Sequence, residues 1–369
     1  MAAFCGPQCQ KKAWTEHRVN CRLRTIRLSL LENKGHGLVL TRAVFAGEQV
    51  ATERPLISLR VPKSQEEAKQ ILGKEWKDDW GQCEPEVFRE QVCKVLVKRA
   101  VANLSKEGQR QYRFLSDKES PKTDFGIFLT NALPLDSDSF LGVFSTISRI
   151  NHSCQPNTYH RWNAEHGEKI LHCTETLAAG EELTISYLNL LDQDPSWKAR
   201  QSYLLTNFAF SCSCQLCTLK GEARDLDDEV RKEASATWHC SLDQVKERGT
   251  AREMIDRLLN CFTRAPFSPS IKAPVFLASA SLHASSGDGN LAMDHLNQSE
   301  HLLRLCKGAT SPEYLQLLER KQTITRHLTQ NQNENAKNWS ILELKATFQH
   351  PKERSNVQGY LSIDNSFIS

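Results

Sequence analysis

The segment Arg149-Ile150-Asn151-His152-Ser153-Cys154-Gln155-Pro156-Asn157 constrains this chain more than any other feature. Its position relative to two later segments narrows the choice further. These are Gly180-Glu181-Glu182-Leu183-Thr184-Ile185-Ser186-Tyr187 and the group Cys212-x-Cys214-x2-Cys217, preceded by Phe210-Ser211. That last group puts three thiolates close together, whereas structural zinc takes four ligands in a tetrahedron. A fold that uses it has to bring a fourth ligand in from elsewhere.

Cysteine placement supports a metal over disulfides. Of thirteen cysteines, Cys5, Cys9 and Cys21 cluster at the start, and Cys212, Cys214 and Cys217 form the second group. Clustered cysteines in a reducing compartment are metal ligands more often than disulfide partners. Cys83, Cys93, Cys173, Cys240, Cys261 and Cys306 are scattered and read as ordinary, mostly buried residues. No run of eighteen apolar residues and no signal-peptide layout are present, so an intracellular location, nuclear and/or cytoplasmic, is expected. A formal net charge of +3 leaves no electrostatic footprint for nucleic acid or membrane, and neither partner is expected.

Periodicity divides the chain. Short β-prone runs at Leu38–Leu40, Ala43–Phe45 and Val50–Thr52, around a Gly47-Glu48 turn, predict a small antiparallel sheet. Residues 62–122 are charged and helix-prone, with Phe88, Val92, Val95, Leu96 and Arg99 at helical spacing, and read as an insertion. Strands are predicted again at Phe144–Ile150, Asn157–Trp162, Lys169–Thr174 and Glu182–Ser186. A helix is predicted from Asp194-Pro195, with Asp as cap, to Phe208. Beyond the second cysteine group, Asp227–Lys246, Ala251–Phe262, Ala273–Ser285, Leu291–Cys306 and Pro312–Leu328 each have helical spacing, which suggests a helical array or bundle.

The first group, Cys5-x3-Cys9-x7-His17-x3-Cys21, also has spacings suited to zinc. Its Cys-Gln-x3-Trp-x2-His-x3-Cys tail resembles the second half of a MYND zinc finger, whose intact form holds two zinc ions with eight ligands. By that resemblance Cys5 and Cys9 belong to one site, and His17 and Cys21 to the other. Each is then half built, as expected of a fragment of a longer product, unless all four residues collapse onto one ion. A proline-rich peptide is the partner that a MYND finger implies.

Together, Lys34-Gly35-His36-Gly37, Asn131, the 149–157 segment, the 180–187 segment and the 210–217 group resemble a SET domain of the SET-and-MYND (SMYD-like) protein lysine methyltransferases, over about residues 25–218. The resemblance implies an α+β fold: a SET-domain β-fold with a helical insertion and a zinc-bound post-SET loop, followed by an all-α C-terminal region. The expected division is 1–24 partial MYND finger, 25–61 first part of SET, 62–122 insertion, 123–208 SET core, 209–218 post-SET cluster, 219–329 helical domain and 330–369 polar linker and weakly ordered tail.

The implied activity is methyl transfer from S-adenosylmethionine to a lysine of a histone or other protein. An amine must be neutral to attack, yet free lysine has a pKa of roughly 10.4, so a narrow apolar channel that disfavours the ammonium is needed. By the resemblance, Tyr187 is the catalytic residue, orienting methyl and amine without acting as a simple base. Lys34, His36, Asn131, Asn151, His152, Tyr187 and Phe210 are the cofactor-binding residues, and Cys154 is the fourth ligand of the Cys212, Cys214 and Cys217 zinc site. Plainer readings stand beside these: Lys34 as a solvated turn lysine, Tyr187 as a buried strand-end tyrosine, Phe210 as core. At the level of the whole chain, the alternatives are a catalytically silent SET scaffold and an interaction module in transcription.

Overall fold

The computed structural model describes residues 25–330 except 78, 81–82, 136–139, 189–190, 192–193 and 240–247. Cys5, Cys9, His17 and Cys21, and the 331–369 tail, lie outside the described residues.

Strands β1 (Ile26–Leu31) and β2 (Gly35–Leu40) form an antiparallel hairpin that pairs Leu31 with Gly35. The strands after it leave that hairpin. β3 (Gln49–Glu53) pairs with β9 (Glu168–Cys173), whose other edge takes β8 (Thr158–Asn163). β4 (Ile57–Arg60) pairs with β6 (Phe140–Val143), which also takes β5 (Leu133–Pro134). β7 (Asn151–His152) and β10 (Thr184–Ile185) lie parallel. The single small sheet expected between Leu38 and Leu59 is therefore corrected. Its strands go to three sheets, because β3 and β4 find their partners beyond the insertion, and Val44 makes only an isolated bridge to Leu177.

The insertion is helical, as its periodicity predicts: α1 (Gln65–Leu72), α2 (Pro85–Ala102) and α3 (Lys106–Arg113). Phe88, Val92 and Leu96 of α2 are buried in one core with Ile57, Leu141 and Val143 of the β4–β6 pair. Arg99, on the same stripe, serves a different end: its guanidinium donates to Ile71 O at 2.9 Å and Leu72 O at 2.7 Å, filling carbonyls left open where α1 stops. Helix α4 (Asp124–Asn131), capped by Thr123, carries Asn131 on its last turn.

Two further expectations are corrected. Phe144–Ile150 is not a strand: the chain turns after β6 and forms a 3-10 turn at Ile147–Arg149. Helix α5 (Trp197–Phe208) starts later than predicted, with Ser196 as its cap. The Ser196 hydroxyl accepts from Ala199 N, while Asp194 instead holds the cap's own N–H at 2.9 Å.

Among the described residues five helices follow: α6 (Glu222–Trp238), α7 (Arg248–Arg264), α8 (Pro269–Ser285), α9 (Gly289–Lys307) and α10 (Pro312–Gln330). Their apolar stripes meet in cores such as Val230, Leu258 and Val275, or Ala280, Leu296 and Leu317. The C-terminal end of α9 seats this array on the β8–β9 hairpin. Arg161 Nε donates to Lys307 O at 2.6 Å, and Gly308 packs so close to His172 that a Cβ there would lie 2.6 Å from the ring nitrogen. Among the described residues no helix is long and apolar enough to cross a membrane.

Candidate active site

The 149–157 segment is held by groups distant in sequence. Glu53, at the end of β3, is 8% exposed. Its carboxylate accepts from Ser145 Oγ at 2.6 Å, Thr146 N at 3.0 Å and Ile147 N at 2.8 Å. Those bonds cap the 3-10 turn from outside, work usually done by a local Ser or Asp. Ser148 ties the turn to α4, donating to Asn131 O at 2.8 Å and accepting from Phe144 N. The chain then enters β7 against β10. Asn157 closes the pair by copying a strand partner: its Nδ2 donates to Glu182 O at 2.8 Å and its Oδ1 accepts from Thr184 N at 2.8 Å.

A cleft of about 830 Å³ opens beside this pair. Lys34, His36, Asn131, Asn151, His152, Tyr187 and Phe210 all line it, and Cys212 and Cys214 stand at its edge. The residues do not face it equally. Asn131 spends its amide on Ser116 O at 2.6 Å and Ile127 O at 2.7 Å, so it shapes the wall more than it offers a donor. Asn151 Nδ2 donates to Glu182 Oε1 at 2.9 Å, and Lys34 Nζ meets Glu182 Oε2 at 2.6 Å. Gly37 makes this closeness possible. A Cβ there would sit 2.5 Å from Leu31 Cδ1 and 2.6 Å from Asn151 Nδ2. His36 leans on Phe114, with ring centroids 5.7 Å apart.

His152 joins the cleft to the sulfurs. Tyr187 N donates to its Nδ1 at 2.9 Å, so the ring proton belongs on Nε2, 3.3 Å from Cys154 Sγ. Both ring nitrogens are thereby engaged inside the protein, which leaves the ring faces and the backbone for a ligand. Tyr187 donates its hydroxyl to Ile150 O at 2.6 Å. Burial first, and the charge of Glu182 second, raise its phenol well above the usual value, so the hydroxyl stays protonated. Its ring lies 4.9 Å from Phe208 and 6.3 Å from Phe210, edge-on to the latter, and these aromatic rings form one side of the cleft.

Cys154, Cys212, Cys214 and Cys217 bring their sulfurs within 4.8 Å of one another. Local structure arranges this. Ala209, in the left-handed region at φ 59°, ends α5 and turns the chain into the loop. Gln201 of α5 then grips Cys212 like a strand partner, its side chain accepting from Cys212 N and donating to Cys212 O, both at 2.9 Å. Trp197 Nε1 holds Cys217 O at 3.1 Å. Four sulfurs this close together, three of them from one short loop, are a donor set that suits zinc. A buried cation beside them, Arg200, strengthens the fit. It is 2% exposed, and its Nε and Nη2 have no hydrogen-bond partner.

Residues 35–188 match the SET domain family model. The chain carries a SET domain. It is homologous to the Set5 and SMYD lysine methyltransferases. To histone-lysine N-methyltransferase set5 of Schizosaccharomyces pombe it is 24% identical over 292 residues, covering 78% of this chain and 80% of that protein. To human N-lysine methyltransferase SMYD2 it is 26% identical over 246 residues, covering 63% of this chain and 51% of that protein, so it spans about half of SMYD2's length. Among solved structures, a SET domain of LSMT bound to lysine and AdoHcy aligns over 90% of this chain and 97% of that one. Its identity is 13% and its TM-score 0.25.

The segments singled out in the sequence meet at one cleft, but several side chains that shape it were not among the residues named there. Glu182 lies inside the quoted Gly-Glu-Glu run, and a carboxylate beside Lys34 was the available signal. Phe208 lies two residues before Phe210, and the aromatic pair was the signal there. Glu53 and Gln201 carried none, because each acts on backbone far from it or across a turn.

Proposed function

We propose that the chain is an S-adenosylmethionine-dependent protein lysine N-methyltransferase with a structural zinc in the post-SET loop. The observation that carries this is the convergence of Lys34, His36, Asn131, Asn151, His152, Tyr187 and Phe210 on one cleft, beside four clustered sulfurs. Relatives bearing histone-lysine and N-lysine methyltransferase names support the substrate class, a lysine of a histone or other protein. S-adenosylmethionine, when bound, supplies a methyl carried on a sulfonium. The residues of the chain do the rest.

The aromatic side chains of Tyr187, Phe208 and Phe210 disfavour an ammonium and favour the neutral amine that attacks. Tyr187, anchored on Ile150 O and held protonated, presents a fixed dipole and orients the amine; it does not take its proton. Lys34 is placed to meet a carboxylate by loosening from Glu182, and Asn151 to donate from the floor of the cleft. Cys154, Cys212, Cys214 and Cys217 would hold zinc, which fixes the loop that carries Phe210 against Tyr187 and His152.

The segment from Cys5 to Cys21 is the second half of a MYND finger in this proposal, with a proline-rich peptide as its partner and the nucleus or cytoplasm as the place of action. Calorimetry with S-adenosylmethionine on zinc-loaded protein, followed by transfer of labelled methyl to a whole-cell protein extract, tests the enzyme assignment. Absence of cofactor binding would overturn it in favour of a silent scaffold.

A further inference from the structure

Arg200 sits where a guanidinium should be costly. It is 2% exposed, and an unpaired buried cation carries a penalty of several kcal/mol. One donor is well used: Nη1 bonds to Pro195 O. Its carboxylate neighbours are distant, Asp227 at 3.9 Å and Asp228 at 3.7 Å. Asp227 is already committed, both oxygens accepting from Arg231 Nε at 3.0 and 2.9 Å. Asp228 accepts from Trp197 N at 2.7 Å. Nε and Nη2 of Arg200 are left with no hydrogen bond. Trp197 and Leu204, one turn to either side of Arg200 on α5, pack in one core with Cys154 and Cys217, and Trp197 Nε1 donates to Cys217 O at 3.1 Å, which sets the sulfurs beside the guanidinium.

We infer that Arg200 is the outer cation of the sulfur site, its two unused N–H groups directed to the thiolates of Cys217 and Cys154, and that it joins this site to the first helix of the C-terminal array. The inference rests on the zinc assignment above. A divalent ion on four thiolates leaves two negative charges in a largely buried place, and such a complex needs a nearby donor and cation. Arg200 meets both needs. Thiolate sulfur in turn supplies the acceptors that Asp227 and Asp228 do not. Residues outside the ligand set that hydrogen-bond to ligand atoms commonly change metal affinity by about 10–100-fold. Arg200 is therefore a positioning residue, acting through the sulfurs on the loop that carries Phe210. Through Asp227 and Asp228 of α6 it makes the seating of that helix depend on the same site.

The test uses the full chain, with zinc affinity read by competition against a chelating dye and the sulfur field read by cobalt(II) put in place of zinc. Arg200→Met is expected to weaken zinc binding by about 10–100-fold. It should also move the sulfur-to-cobalt charge-transfer band to lower energy, because thiolates that lose N–H donors become better electron donors. The d–d bands should stay at their tetrahedral four-sulfur positions. Arg200→Lys, which keeps the charge but not the planar fork, should fall between wild type and Arg200→Met. It decides the matter if the methionine variant does not fold. Arg231→Met removes a buried cation from the same Asp227 without touching sulfur, and should leave the band in place. Wild-type affinity and band position in both Arg200 variants, or the same shift in Arg231→Met, would overturn the inference alone. A wild-type protein that takes up neither zinc nor cobalt would overturn the zinc assignment, before any variant is made.

Discussion

Replacing Tyr187 by Phe removes one hydroxyl while keeping the ring that packs on Phe208 and Phe210. Methyl transfer is expected to fall by about 10²-fold, the size of effect that follows loss of one preorganised dipole, with S-adenosylmethionine affinity nearly unchanged. Single-turnover kinetics and calorimetry measure the two separately, and undiminished transfer would remove Tyr187 from its role. Gly37→Ala is the opposite kind of change, since it adds one carbon where Leu31 and Asn151 leave no room. Overpacking of this kind costs about 1–3 kcal/mol. Here it pushes on Asn151 and Glu182, so loss of cofactor affinity should exceed what the drop in melting temperature explains. At this scale the sequence was informative about identity more than about partners. The string Asn151-His152-Ser153-Cys154 announces a site. That the His152 ring bridges Tyr187 N to Cys154 Sγ depends on where β10 and the sulfurs meet, and no local pattern encodes it.

Among elements, the instructive case is the stretch Phe144–Ile150. Its aromatic and β-branched residues favour a strand, yet it forms a 3-10 turn because Glu53 captures the free N–H groups of Thr146 and Ile147. Propensity cannot register a carboxylate that arrives from β3. Glu53→Gln keeps the shape but exchanges one acceptor oxygen for a donor. It should cost about 2 kcal/mol, within the range for hydrogen bonds to charged groups and for buried groups left unpaired. Urea denaturation reads that cost as a lower midpoint at unchanged slope. The helices were more legible, since α7, α9 and α10 keep an exposed face and so repeat at three and four residues, although α8 is enclosed on every side, with Ala278 to His283 buried in unbroken succession. Helix α5 began late because Ser196 outcompeted Asp194 as cap. At the cysteine loop, metal analysis should give at least one zinc per chain. Gln201→Ala, which frees both backbone groups of Cys212, should loosen Phe210 and lower cofactor affinity while zinc is retained.

For the whole molecule, the sequence implied a SET-like unit and a helical array but held no sign of how they meet. The contact is made by Arg161 and His172 of the β8–β9 hairpin against the end of α9. Burial first, and Arg161 second, push His172 down to about 4. A histidine lowered in the folded state leaves the unfolded chain holding more protons between pH 4 and 6.5. Stability is then complete above about pH 6.5 and declines as pH falls toward 4, by about 3 kcal/mol for a shift of this size. Chemical denaturation across that window should show a shallower decline for His172→Gln than for wild type. Equal slopes would assign the pH dependence elsewhere.

The pairing of β3 with β9 and of β7 with β10, together with the reach of the cleft from Lys34 to Cys214, bears on how the protein is made. A ribosome releases Lys34, His36 and the insertion long before Tyr187 emerges. Even a nascent chain that has closed every sheet still lacks Phe208, Phe210 and three of the four sulfurs. The β1–β2 hairpin, rich in local contacts, can order early during synthesis, whereas the insertion waits for Leu141 and Val143 and the cleft is among the last parts to close. A stalled or truncated translation product ending near Leu188 would therefore carry the SET strands with the cleft still open to water.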